Sequence, residues 1–235
     1  EGGKHIFTLS DAPMQDYDGV PYPLFPEEKE DAYHWLRQNP HRIQLGQIGL
    51  YVIKTNGEKA DAKDFTIEEQ YHDLWTGVLT SKFRVEDHLV TVKTACDPNE
   101  DIIGITIQSN LLAEGRVGVF LRFPNPNMVD RKWEKSTQVI FTEEGHTTSW
   151  SEIAPGHFKI DRQIDDSRYH VMIASEQAEL KQRESHELAV VPEVLKEFSL
   201  TVSFTPDEKH QPKKVGDIFQ ATENHWRKFW QEGGF

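Results

Sequence analysis

The sequence predicts an all-β protein, a large antiparallel sandwich of two sheets with a short helix before it and an amphipathic helix after it. Three observations lead there. From Arg42 to Phe204 apolar and polar residues alternate with period two, which turns one face of each segment inward and the other to water. Turn residues interrupt the alternation roughly every eight to twelve positions. The segments so delimited number about ten, more than the roughly seven of an immunoglobulin-like domain. The expected organisation is a lead-in over 1–41, a sandwich over 42–206, and a linker with a helix over 207–235.

Taken in order, the lead-in "DAPMQDYDGVPYPLFPEE" is rich in proline and aspartate, and "EEKEDAYHWLRQ" after it is a short helical candidate ended by Asn39-Pro40. "RIQLGQIGLYVIKTNGE" alternates into Asn56-Gly57, a strong hairpin signal. "VLTSKFRVEDHLVTVKTACDP" alternates on both sides of a Glu86-Asp87 turn, with Phe83, Val85, Val90 and Val92 as candidate core positions. "DIIGITIQS" is the next strand, and "RVGVFLRFPNP" follows, closed by its prolines and asparagines. "STQVIFTEEGHTTSW" reads as a hairpin about Glu143-Glu144-Gly145, "HFKIDRQIDDSRYHVMIAS" as two strands around Asp165-Asp166, and "LKEFSLTVSFTP" as the last strand. "DEKHQPKKVG" has the polarity of a linker. In the closing segment Ile218, Phe219, Thr222, Trp226, Phe229 and Trp230 recur at helical spacing, with Asp217 placed to cap the start and Gly233 to end it.

A chain of 235 residues, 37 % hydrophobic and 28 % charged, can bury a sizeable core in one large or two small domains. Lys and Arg total 26 against 39 Asp and Glu, and the net charge of -13 repels phosphate backbones and anionic lipid, so nucleic-acid binding is not expected. No apolar run approaches membrane-spanning length, and the N-terminal residues carry neither an initiator Met nor a signal peptide, as expected of a processed or trimmed chain. The one cysteine, Cys96, can form no internal disulfide, which excludes a disulfide-stapled secreted module and leaves periplasm or cytoplasm open.

Two stretches carry candidate binding chemistry. In "HWLRQNPHRIQLGQIGL" Trp35, Arg37, Asn39, His41 and Arg42 enter the first long strand together. Arg and Asn can donate and accept in the plane of a sugar ring while Trp covers its apolar face; equally, the set reads as a structural corner with Asn39 in the turn and the arginines paired to surface carboxylates. In "QYHDLWTGVL" Asp73 and Trp75 suit a saccharide edge if Trp75 is exposed, or a buried Trp beside a turn that Asp73 fixes. "ESHEL" lacks the second histidine of a metalloprotease helix, the 11 histidines include no pair at ligand spacing, and "DPNED" reads as a solvated turn rather than a calcium loop. No metal or cofactor is expected. There is no serine elbow, phosphate-binding glycine loop or Cys-His pair, and the adjacent carboxylates Glu143-Glu144 and Asp165-Asp166 sit where hairpins need exposed turns, so no catalytic residue is assigned.

The order of "NPHRIQLGQIGL", "DLWTGVLTSKF", "VTVKTACDPNEDIIGITIQSNLLAEGRVGVFLRFPNP" and "HWRKFWQEGGF" resembles the N-terminal region of bacterial six-hairpin glycosidases, where a β-supersandwich of galactose mutarotase-like type precedes a linker helix and an (α/α)6 barrel. The resemblance covers nearly the whole chain at the level of architecture, through strand and turn patterns rather than a catalytic signature. It implies a non-catalytic, periplasmic or exported domain of a glycoside hydrolase, with carbohydrate and a following catalytic barrel as partners. On that reading the acid and base lie in the barrel, "WLRQNPHR" and "DLWTG" border it, and Trp226, Phe229 and Trp230 partly face it. The long lead-in departs from the pattern, leaving the sugar and the choice between hydrolysis and phosphorolysis open. A free-standing carbohydrate-binding module is the alternative, and a sandwich that uses the same three aromatics purely for protein contacts is a third.

Overall fold

The computed structural model describes residues 14–23, 44–125, 145–164, 166–194 and 196–233. The chain divides into two compact units, 1–44 with 124–142 and 45–123 with 143–235. In the first, the described element is an antiparallel hairpin of β1 (Met14–Tyr17) and β2 (Val20–Pro23) around Asp18-Gly19. A two-residue Asp-Gly turn is a strong hairpin signal, and it stands inside the stretch whose prolines suggest a mere lead-in. The helical candidate over 27–38 lies outside the described residues.

The second unit is an antiparallel sandwich. Its large sheet has eight strands in the order β4 (Thr66–Asp73), β5 (Val78–Val85), β6 (His88–Cys96), β7 (Ile102–Ser109), β14 (Glu197–Thr205), β11 (Ser167–Ala174), β10 (His157–Ile164), β9 (His146–Ala154). The small sheet has four, β12 (Ala178–Glu184), β13 (Glu187–Pro192), β8 (Val117–Arg122) and β3 (Gln47–Val52). The sandwich thus has twelve described strands rather than about ten. Much of the excess is β12 and β13. β12, "AELKQRE", buries little beyond Leu180, so its alternation is masked by charge.

Between the sheets lies one apolar core. Val85, Val90, Ile107, Leu200 and Val202 of the large sheet meet Val52, Val119, Leu121, Leu188 and Val190 of the small one. The expected hairpin at Glu86-Asp87 joins β5 to β6, and of its expected core residues Phe83, Val85 and Val90 are buried while Val92 packs half-buried against them. Glu86 and Asp87 hold φ of 48° and 66°, left-handed values that suit the twist of a two-residue turn. The Glu86 carboxylate accepts from the Thr55 amide and hydroxyl, each at 2.9 Å, and pairs with Arg116, tying this turn to the end of β3. Asn56-Gly57 is a tight turn, but the chain after it returns only one bridge, Ile53 to Lys59, so β3 finds its strand partner in β8. Non-local pairing buries more of β3 than a short return arm can.

A short helix, α1 (Asn110–Ala113), carries the chain from the large sheet to the small one, burying Leu111 and Leu112. The outer face of the large sheet is covered locally by α2 (Val215–Glu232). Alternation along β7 sends Ile105 and Ile107 to the main core and Ile102 to the opposite face, where it packs with Ala95 and Ile218. Gly104 lies under the helix, where a Cβ would stand 3.3 Å from the Phe219 ring. The helix begins three residues before the expected point: Lys214 is the N-cap without a side-chain bond, and Asp217 lies inside the first turn, where its charge meets the helix dipole. Gly233 is the C-cap, donating its N–H to Phe229 O at 2.8 Å.

Candidate functional site

Strand β4 ends at Asp73, and the turn to β5 is closed by Gly77 N–H donating to Asp73 O at 2.7 Å. The Asp73 carboxylate accepts from the Trp75 amide at 2.9 Å. That bond, followed by the Thr76 hydroxyl, holds the carboxyl below the usual carboxylate range, so its charge serves the turn. Gly77 has φ +68°, and a Cβ there would lie 2.2 Å from Trp226 Cδ1 and 2.6 Å from Thr222 Cγ2. Glycine is required both for the left-handed backbone and for the close approach of the helix.

Helix α2 meets this turn with a face whose burial falls along its length. Ile218 and Thr222 are buried, and the Thr222 hydroxyl lies 2.7 Å from Cys96 O. One turn on, Trp226 is half-buried; Phe229 and Trp230, three and four residues beyond it on the same face, are 44 % and 38 % exposed. The Trp230 indole N–H donates to Leu74 O at 2.6 Å, which fixes the ring against the β4–β5 turn. Trp75 lies 6.5 Å from Trp230 at 53°, Phe229 lies 5.0 Å from Trp230 at 83°, and Trp226 stacks on Trp230 at 6.4 Å. With Leu74 at 55 % and Trp75 at 53 % exposed, the rings form an open apolar surface at one end of the sandwich. Such a surface can stack on a sugar or pack against protein; it offers no acid-base pair.

The structure therefore brings Trp75, Trp226, Phe229 and Trp230 together and gives Asp73 the turn. Of the two readings of "DLWTG", the observed arrangement takes one part from each: Asp73 fixes the turn, and Trp75 is exposed. Trp35, Arg37, Asn39, His41 and Arg42 lie outside the described residues, as do Glu143, Glu144 and Asp165. "DPNED" is not a solvated turn throughout. Asp97 is 5 % exposed, accepts from the amides of Asn99 at 2.9 Å and Glu100 at 3.2 Å, and pairs with Lys213 of the linker at 2.8 Å. Lys213 also reaches Glu100 at 2.6 Å. Burial alone raises the Asp97 carboxyl; the Lys213 ammonium and the two amides outweigh it and hold the group below its ordinary range. Among the described residues no group of three His, Cys, Asp or Glu side chains could hold a metal ion, and no helix is long and apolar enough to cross a membrane.

No protein-family model matches this sequence, and no curated protein matches it. Among solved structures, a bacterial glucoamylase in complex with acarbose is similar, with a TM-score of 0.52 and 8 % sequence identity over 78 % of this chain and 31 % of that one. At such identity the likeness is one of fold: the all-β sandwich described here is similar to a segment of that glucoamylase, and this chain spans 31 % of its length.

Proposed function

We propose that this chain is the non-catalytic β-sandwich domain of a carbohydrate-active enzyme, a glycoside hydrolase exported or held in the periplasm, and that it supports and borders the sugar cleft of a catalytic domain in the same polypeptide. The observation that carries the reading is the open surface of Leu74, Trp75, Phe229 and Trp230, built where α2 leaves the sheet. Aromatic rings held by a main-chain hydrogen bond yet left open to water suit a further domain that would cover them. The similarity to a glucoamylase chain of which this one covers 31 % supports a larger protein of that class.

The first test reads the encoding gene past the codon for Phe235. A continuing frame with paired-helix periodicity and carboxylates set to act on a glycosidic bond is expected. A stop codon there, or glycoside turnover by the chain alone that survives purification, overturns the reading. A second reading, a free-standing carbohydrate-binding module, is favoured by the exposed ring of Trp75. It requires saturable polysaccharide binding that Trp75→Ala abolishes.

A further inference from the structure

Helix α2 lies at the end of the large sheet where β4 turns into β5 and β6 into β7, and it is fastened near both of its own ends. At the first, Lys213 immediately precedes the N-cap, and its ammonium meets Asp97 at 2.8 Å and Glu100 at 2.6 Å in the β6–β7 loop. The Asp97 side chain is almost wholly enclosed, and its other oxygen accepts from the amides of Asn99 and Glu100. At the second, the Trp230 indole N–H donates to Leu74 O in the β4–β5 turn. At about 1.5 Å of rise per residue the two fastenings stand about 25 Å apart along the helix.

Between them the helix is held by little. Its 18 residues bury Ile218 and Thr222, and the apolar cluster that Ile218 joins with Ala95 and Ile102 is small beside the main core. A helix of this length is marginal in water unless tertiary contacts support it. So small an apolar patch leaves much of that support to the bonds at the two ends. The fit against the sheet also depends on register, because Gly77 admits Trp226 and Thr222 only where its Cβ is missing.

We propose that the contact of Lys213 with Asp97 and Glu100 is a latch that keeps the aromatic surface in its docking shape, by holding the far end of the helix that carries Trp226, Phe229 and Trp230. With the latch closed, α2 keeps its register over Gly77 and Trp230 stays on Leu74 O. With it open, the first turn of α2 frays, that register is lost and Trp230 leaves the turn. The coupling runs both ways: whatever holds Trp230 on the β4–β5 turn also tightens Lys213 on Asp97. This deepens, and rests on, the proposed role of the rings as the seat of a further domain. Covering them secures the linker, and displacing the linker loosens the cover.

The test is hydrogen exchange on the chain alone. Lys213→Met keeps the apolar stem and removes the charge, and should speed exchange of the Trp230 indole N–H by about tenfold while the β10–β11 pairing stays protected. Lys228→Met breaks an exposed pair with Glu232 on the same helix and should leave Trp230 unaltered. Unchanged exchange at Trp230 in Lys213→Met, or an equal rise in Lys228→Met, overturns the proposal. Trp230→Phe keeps a ring without the donor, and should speed exchange several-fold at the Asn99 and Glu100 amides that bind Asp97. No rise there also overturns it, and this variant decides the matter should Lys213→Met not fold. Neither readout needs a second domain, so failure of the latch leaves the proposed function standing, and a stop codon after Phe235 leaves the latch standing.

Discussion

The large sheet is covered on its two faces by different means. Inside, the small sheet meets it over a continuous apolar core drawn from both sheets. Outside, α2 contributes a small cluster in which Ile218 and Phe219 sit over Ala95, Ile102 and Val78, with Gly77 and Gly104 making room. The inner contact rests on area, so its stability is spread over many side chains. The outer one rests on closeness: absent Cβ atoms, the Thr222 hydroxyl against a strand carbonyl, and the Lys213–Asp97 bridge that sets where the helix begins.

The largest expected effect comes from breaking the inner contact. Phe198→Ala, at a 2 % exposed core position, should cost about 3–5 kcal/mol, measured by urea unfolding, with the fold lost as a unit. Gly77→Ala attacks the outer contact by strain in a left-handed backbone and by overlap with Trp226 and Thr222; about 2–4 kcal/mol is expected. Here hydrogen exchange should show α2 amides losing protection while β6 and β7 keep theirs, and uniform loss across the sandwich would mean that the two coverings are not separable.

Asp97→Asn removes one partner of the linker bridge and should cost about 1–3 kcal/mol near neutral pH. Its pH dependence follows from the depressed carboxyl: the contribution is fully present above the unfolded value of about 3.9 and disappears as pH falls through the lower folded value. The gap between wild type and variant should thus be flat from about pH 5 to about pH 9 and close in stronger acid. The smallest effect belongs to Trp75→Ala, which should stay within about 0.5 kcal/mol, because the ring is more than half exposed. If it costs as much as Asp97→Asn, the aromatic surface belongs to the domain's own packing rather than to a partner.

Legibility in the sequence follows the range of the contacts involved. The β5–β6 hairpin and α2 are readable because local alternation and helical spacing report on burial within one segment. The strand partner of β3 is not readable, since β8 is distant in sequence and Asn56-Gly57 offers a nearer, false one. β12 is hidden by Lys, Arg and Glu on an open edge, where polar residues are an ordinary protection against stray pairing. At the aromatic surface each ring could be picked out by type, but the bond from Trp230 to Leu74 spans 156 positions, and no local pattern encodes it. Arg162 is the opposite case: the alternation that places it inside is plain, and only its charge argues for the outside.

The centre of the large sheet joins β7 to β14, whose paired residues run from Ile102 to Gln108 and from Glu197 to Ser203. During synthesis β4 to β7 can zip up as successive hairpins, but β7 then waits with an open edge until β14 emerges. Such a topology makes folding slow and sensitive to the rate of elongation, because the strand that seals the sheet is made last and closes a long loop. The interval before β14 arrives is the period in which the nascent chain is exposed to misassembly with its neighbours.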